Sequence, residues 1–207
     1  VMRLTFPESD SSIIGVNPFQ GGEVAFDGSG ATGYSVQNHG GVPEGFRNYF
    51  VVKSSAPFTQ GPGDDHTLVA VFPEVEEVNL SVASSFISPE QAEYNLGELP
   101  GGYAQTRDAA RSAWNRVLGR IEVQDPDLDH LRTFYSCLYR SLLFPRDLSE
   151  VNPAGERVHY SPHSGTVEPG PFYTDTGFWD TFRSLFPLLN LIYPETSAQV
   201  QEGLVND

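Results

Sequence analysis

The stretch from Phe172 to Glu195 reads FYTDTGFWDTFRSLFPLLNLIYPE and is the densest run of aromatic and aliphatic residues in the chain. Apolar residues recur in it at steps of three and four, at Phe178, Phe182, Leu185, Leu189 and Ile192. This spacing predicts a helix that begins at Asp175 or Thr176 and buries one apolar face. Pro187 lacks a backbone N–H and clashes with the preceding turn, so we expect the helix to kink or restart there.

Three side chains of different chemistry, Trp179, Asp180 and Arg183, flank the predicted apolar face. An indole, a carboxylate and a guanidinium on one rim suit a sugar, which offers apolar ring faces and hydroxyl groups. The alternative is purely structural: Asp180 would complement the helix dipole, Arg183 would pair with a nearby carboxylate, and Trp179 would pack. The residue types alone leave both interpretations open.

Residues 1–86 consist of short segments in which apolar and polar residues alternate. Six strands are predicted, at Arg3–Phe6, Ser12–Val16, Glu23–Phe26, Phe46–Lys53, Thr67–Phe72 and Val78–Ala83. Turns rich in Gly and Pro separate them at short spacing, which favours an antiparallel pair of sheets, a β-sandwich. The acidic turn Asp64-Asp65-His66 has no metal-ligand spacing, and we interpret it as solvated.

Helical periodicity replaces strand periodicity after residue 86. The sequence Ser-Pro-Glu-Gln predicts an N-cap at Ser88 with a capping-box partner at Gln91. A second helix is predicted over Tyr103–Leu118, with Trp114 as a packing residue. Asp125-Pro126 opens a third helix, whose apolar stripe runs from Leu128 to Leu142 and places Cys137 on a buried face as an inert thiol.

Residues 147–171 are rich in Pro, Gly and Ser and are long for a connection between helices. A short hairpin strand is predicted over Arg157–Tyr160. His159 and His163 are candidate polar contacts in this loop, although without a carboxylate at fixed spacing the preferred interpretation is two surface histidines.

The composition excludes several classes of function. A formal net charge of −15 disfavours nucleic acids and anionic membranes, both of which require clustered Lys and Arg. No apolar run approaches the roughly 20 residues that a membrane span needs. The start at Val1 without a leader, and the end within an apparent helix, suggest a fragment of a longer polypeptide.

Three ordered stretches resemble glycoside hydrolase family 92, the calcium-dependent exo-acting α-mannosidases. YTDTGFWDTFRSLFPLL is similar to a signature of that family, and SVASSFISPEQAEYNL (Ser81–Leu96) and FYSCLYRSLLFPR (Phe134–Arg146) are similar to family segments in the same order. Three matches at compatible spacing are far more specific than one short motif.

The resemblance implies a multi-domain β + α fold: an antiparallel β-sandwich, a helical linker, then the first helices of an (α/α)6 barrel. The domains would be residues 1–86, 87–124 and 125–207. The family's two catalytic carboxylates and its Ca²⁺ ligands lie further along the barrel, so no catalytic or metal-binding residue is expected in this chain. The resemblance also implies that the reaction inverts the anomeric centre. The remainder of the polypeptide would be a necessary partner, because it would carry the catalytic carboxylates.

Among site residues, only Trp179 and Asp180 carry over from the family, as contacts to the mannose ring before the scissile bond. The resemblance implies a mannoside, N-glycan or mannan as substrate, possible variants that act on a mannose phosphodiester, and an extracellular or periplasmic location. Two other classes remain open: a non-catalytic carbohydrate-binding protein and a disaccharide phosphorylase of similar architecture.

Overall fold

A computed structural model describes residues 1–19, 21–26, 28–38, 40–64 and 67–206. Asp65 and His66 of the acidic turn, and Asp207 at the end of the third predicted domain, therefore lie outside the described residues. Two compact units emerge from the contacts within the chain. The first comprises Val1–Asp108, Val151–Glu156 and Tyr160–Val167, and the second Ala109–Glu150, Arg157–His159 and the chain from Glu168 onward. The domain boundaries expected at residues 86 and 124 stay predictions.

Eight antiparallel strands build most of the first unit: β1 (Met2–Thr5), β2 (Ser11–Val16), β3 (Glu23–Phe26), β4 (Gly30–Ser35), β5 (Asn48–Ser54), β6 (Thr59–Gly61), β7 (Leu68–Pro73) and β8 (Glu77–Ser85). They form one sheet in the order β1-β8-β5-β4-β3 and another in the order β2-β7-β6. The six predicted strands are all present, within two residues at each end.

The two sheets enclose a common apolar core. Buried side chains from both contribute, namely Ala31, Val52, Ala70, Phe72, Val78 and Leu80. The predicted alternation in β8 holds for Val78 and Leu80, which are buried, but Val82, the sixth of the nine residues of the strand, is 38% exposed. The antiparallel sandwich predicted from the sequence is confirmed.

Helix α1 (Pro89–Gly97) lies on the outer face of the larger sheet, where Ala92 and Val51 are buried. Its N-cap is Ser88, whose Oγ accepts a hydrogen bond from the Gln91 N–H at 3.1 Å, as predicted. The second hydrogen bond of the predicted capping box, from the Ser88 N–H to the Gln91 side chain, is not formed. The Gln91 side chain instead donates to Asn95 Oδ1 and to the Val151 carbonyl, both at 2.8 Å. The Ser88 N–H, which a capping box would pair with the Gln91 side-chain oxygen, donates to the Ser85 hydroxyl at 3.4 Å.

Helix α2 (Tyr103–Leu118) has the predicted bounds, and its residues are divided between the two units. In the second unit its C-terminal part precedes α3 (Leu128–Ser141), which Asp127 caps through its side chain. Trp114 packs edge-on against Tyr139, with ring centroids 4.5 Å apart, in agreement with the predicted packing role.

The core of the second unit is formed by Leu138, Leu189 and Tyr193. Leu138 from the predicted α3 stripe is 5% exposed, but the neighbouring Cys137 is exposed, so the expectation of a buried thiol was wrong. Adjacent helical residues are about 100° apart, and only one of this pair faces the core. Leu128, at the first turn of the stripe, is also 56% exposed.

The helix predicted from Asp175 or Thr176, with a kink or restart at Pro187, is observed as two helices, α4 (Phe178–Thr181) and α5 (Leu185–Ile192). Helix α6 (Pro194–Val205) follows them. The first of these begins after Gly177, later than predicted, and the chain restarts before Pro187 rather than at it. Pro187 is the third residue of α5, where its missing N–H would have had no partner within the helix. A restart upstream therefore avoids the clash that the proline would otherwise cause.

The apolar stripe predicted for this helix is buried only in its second half. Leu189 is 2% exposed, whereas Phe178 and Phe182 are 58% and 57% exposed. Because α4 ends before α5 begins, the two helices do not continue one another in phase, and the spacing of the stripe no longer defines one face.

Five short strands connect α3 with α4: β9 (Arg146–Asp147), β10 (Glu150–Val151), β11 (Arg157–Tyr160), β12 (Val167–Pro169) and β13 (Tyr173–Thr174). They form sheets in the orders β10-β11-β12 and β13-β9. The predicted strand Arg157–Tyr160 is confirmed. None of the helices formed by the described residues combines the length and the apolar character that a bilayer crossing requires.

Candidate functional site

Trp179 and Asp180 occupy the middle of α4, a single turn that presents both to solvent. Trp179 is 83% exposed, and Asp180 is also exposed. The turn is held by the Gly177 carbonyl, which accepts from the Asp180 N–H at 2.9 Å and from the Thr181 hydroxyl at 3.1 Å. An indole and a carboxylate on adjacent residues, about 100° apart around the helix axis, are therefore exposed on a short backbone turn with fixed hydrogen bonds.

The segment before α4 is fastened to the strand that follows α3. Strand β13 pairs with β9, so Tyr173 lies opposite Asp147 and Thr174 opposite Arg146. The Arg146 guanidinium also forms an ion pair with Asp175. Asp175 has a left-handed backbone with φ of 65°, a conformation that Asp tolerates better than most residues. The pairing and the ion pair together set the direction in which the chain enters α4.

Aromatic residues border the Trp179–Asp180 turn. Phe178 stacks on Phe186 with ring centroids 6.2 Å apart and an angle of 18° between the planes. The Arg183 guanidinium lies 5.1 Å from the centroid of the Phe182 ring. Within the described ranges, Arg183 has no carboxylate partner, so the ion pair offered by the structural interpretation is not formed there.

A polar network stabilises the loop upstream of β13. The Arg157 guanidinium contacts Asp147 Oδ2 at 2.6 Å and the Ser149 hydroxyl at 2.7 Å. Its distance to the Tyr173 hydroxyl is 3.5 Å. Burial raises the pKa of the Tyr173 hydroxyl, and the neighbouring Arg157 opposes that rise. This network keeps β9 and β13 in register next to the Arg146–Asp175 pair.

The interpretation of His159 as a surface residue was wrong. Its side chain is 0% exposed, its Nδ1 lies 3.1 Å from the Gly170 carbonyl, and its ring stacks on Phe172 at 5.0 Å. The contact identifies Nδ1–H as the donor to that carbonyl. His163 is exposed, as the sequence predicted. His159 therefore packs inside the second unit rather than reaching a ligand from the loop surface.

The His, Cys, Asp and Glu side chains of the described residues form no group of three that could hold a metal ion. Calcium is also bound by backbone carbonyl and amide oxygens, so the Ca²⁺ that the resemblance implies stays a prediction.

Sequence reasoning missed Arg146 and Asp175, which fix the entry to α4. They lie 29 residues apart, and no local pattern connects them. A weak signal was available in Asp175-Thr176-Gly177, since Asp and Gly favour turns immediately before a helix. The Thr176 hydroxyl of this turn is buried without a hydrogen-bond partner among the described residues.

Comparisons with known proteins identify the family. The profile of the glycosyl hydrolase family 92 catalytic domain matches residues 91–207, more than half of the chain. A family 92 inverting mannosidase from Bacteroides thetaiotaomicron has a solved structure that is 38% identical, with a TM-score of 0.91. That likeness covers 99% of this chain and 31% of the other. The chain belongs to glycosyl hydrolase family 92.

Two further relatives agree. A family 92 α-mannosidase from Bacteroides thetaiotaomicron is 23% identical with a TM-score of 0.77, over 97% of this chain and 31% of its own, which supports the fold alone. An uncharacterized secreted glycosidase from Arthroderma benhamiae is 37% identical over 82 residues, which is 37% of this chain and 11% of that protein. The chain thus spans about a third or less of the relatives that it matches.

Proposed function

We propose that the complete protein is an exo-acting α-mannosidase that hydrolyses terminal mannose from mannosides, N-glycans or mannan with inversion. The observation that carries the proposal is family membership together with 38% identity, over 99% of this chain, to a structure described as an inverting mannosidase. In this proposal the chain supplies the sandwich, the linker and the first helices of an (α/α)6 barrel.

Within such an enzyme, Trp179 and Asp180 would bind the sugar ring. Sugar hydroxyl groups would donate hydrogen bonds to the Asp180 carboxylate, which is exposed on a turn with fixed backbone hydrogen bonds. The adjacent indole of Trp179, 83% exposed, offers an apolar surface for the C–H face of the ring. Both residues position the substrate, and neither is assigned a proton transfer.

The reacting carboxylates of the proposed enzyme would come from outside the described residues. Inversion needs two carboxyl groups about 6.5–9.5 Å apart, so that a water molecule fits between one of them and the anomeric carbon. The calcium ion expected from the resemblance belongs to the same proposal, with ligands beyond those described here. An extracellular or periplasmic location is also proposed, supported by the relative that is named as secreted.

The test uses the complete protein and a small α-mannoside. Release of mannose without added phosphate supports hydrolysis, whereas turnover that requires phosphate would identify a phosphorylase. Binding of mannose without turnover would instead favour a carbohydrate-binding protein.

A further inference from the structure

A groove of about 330 Å³ lies on the outer face of the five-stranded sheet, next to the start of α1. All the residues that line it belong to the first unit, and none of them belongs to α4. Its walls include Glu23, Thr32, Tyr34, Arg47, Tyr49 and Pro89. The volume falls at the lower end of the range of small-ligand pockets, about 300–1,000 Å³.

Strand register creates this groove. Glu23 pairs with Tyr34 across β3 and β4, and Tyr34 pairs with Tyr49 across β4 and β5. Paired residues project to the same face of a sheet, so these three side chains form one row. The next row on that face begins with Ala25 and Thr32. Their side chains are small, so the groove is deeper there than at the two tyrosine rings.

The tyrosine wall is preorganised by contacts on several sides. Tyr34 hydrogen-bonds to the Glu23 carboxylate, which raises the pKa of its hydroxyl, and burial adds to that rise. The Arg47 guanidinium lies 4.0 Å from the centroid of the Tyr34 ring. Tyr49 meets Tyr34 edge-on, with centroids 6.3 Å apart and an angle of 65° between the planes. A ligand would therefore meet side chains that already have a fixed arrangement.

We propose that this groove is a glycan-binding site, built from residues other than Trp179 and Asp180, that holds one or two rings of a neutral sugar chain. Tyr49 provides an apolar surface for a sugar ring, and Arg47, Glu23 and the Thr32 hydroxyl supply donors and acceptors for its hydroxyl groups. Because the rim carries one cation, Arg47, and one anion, Glu23, it suits the neutral hydroxyl groups of a sugar better than it suits a phosphate or a carboxylate. The choice of mannan as the sugar chain rests on the proposed function.

The decisive experiment is affinity electrophoresis of the complete protein in gels that contain yeast mannan. We expect Tyr49→Ala to bind mannan roughly three- to tenfold more weakly, in line with the loss of one aromatic contact. Ala25→Phe should weaken binding similarly, because the larger side chain fills the groove while Glu23, Arg47 and the two tyrosines are kept. Tyr103→Ala is the matched control, since Tyr103 stacks with Arg3 and does not line the groove.

Hydrolysis of an aryl α-mannoside, measured on the same preparations, should be equal in all three variants and the parent. If the parent does not hydrolyse the aryl α-mannoside, the proposed function is contradicted. The gels would still measure the binding of mannan. The proposed glycan-binding site would be overturned if mannan retains Ala25→Phe as strongly as the parent. It would also be overturned if mannan does not retain the parent. If Tyr49→Ala does not fold, Ala25→Phe decides the question alone.

Discussion

Arg146 and Asp175 form an ion pair that joins the end of β9 to the turn before α4. Asp175 has the left-handed backbone conformation at this point, and Trp179 and Asp180 follow within five residues. The proposed sugar-binding turn is thus fastened to a strand nearly thirty residues earlier in the sequence. Its geometry depends on a contact that lies outside the turn itself.

Arg146→Met should reduce catalytic efficiency of the complete enzyme several-fold while changing stability little. The pair is partly exposed, with 60% and 35% of the two side chains accessible, so its contribution to the free energy of unfolding is about 0.2–1 kcal/mol. A small displacement of substrate-positioning residues has a larger effect on turnover than on folding. The measurements are kcat/KM on an aryl α-mannoside and the melting temperature.

Arg132→Met is the matched control for this variant. It breaks the exposed Arg132–Asp129 pair on α3, which is far from α4 in sequence. Equal losses of efficiency in the two variants would show that Arg146 has no positioning role.

Asp180→Asn should lower kcat/KM by roughly one to two orders of magnitude. The change keeps the shape but replaces a charged acceptor by a neutral amide, and a hydrogen bond to a charged group contributes about 1.5–3 kcal/mol. About 1.4 kcal/mol corresponds to a factor of ten in rate. Asp129→Asn, in the first turn of α3, is the control for the loss of an exposed carboxylate at a helix start, where it also weakens the pair with Arg132. A lowered melting temperature with parental efficiency would remove Asp180 from the site.

His159→Asn should destabilise the protein by about 1–3 kcal/mol. The imidazole is fully buried, stacks on Phe172 and hydrogen-bonds to the Gly170 carbonyl, and asparagine cannot restore the stacking. His163→Asn, on the exposed part of the same loop, should change the free energy of unfolding by no more than about 0.5 kcal/mol. Urea unfolding of both variants measures the difference, and similar values would contradict the buried role.

The sandwich was predictable because strand alternation and Gly/Pro turns are local signals. Strand β4 was not predicted, and its sequence, GATGYS, contains Gly30 and Gly33, which weaken the pattern of a strand. Those glycines instead permit close approach to β5, since a Cβ at Gly33 would meet the Phe50 ring at 2.6 Å. Local composition cannot distinguish a turn glycine from one that a neighbouring strand requires.

The second unit was less predictable because its features depend on contacts between distant segments. The Phe178–Ile192 spacing indicated one buried apolar face with a kink or restart at Pro187, but the restart at Leu185 left the first half of that face exposed. His159 is buried by Phe172 and Gly170, which follow more than ten residues later. Trp179 and Asp180 were singled out from their position beside the predicted apolar face and then favoured by the family resemblance, and their role as sugar contacts stays a prediction.

Removal of calcium from the complete enzyme by exhaustive chelation should abolish mannoside hydrolysis. This expectation comes from the family resemblance, and ligands outside the described residues would hold the ion. Activity should return when Ca²⁺ is added and not when Mg²⁺ is added, because the smaller ion demands tighter octahedral geometry. Full activity in the chelated and dialysed enzyme would contradict the proposed cofactor.

The central claim, that the complete protein hydrolyses α-mannosides with inversion, is tested most directly by proton NMR of the first product. A direct attack by water predicts that β-mannose is formed first and that α-mannose accumulates later by mutarotation. Initial release of α-mannose would contradict the account.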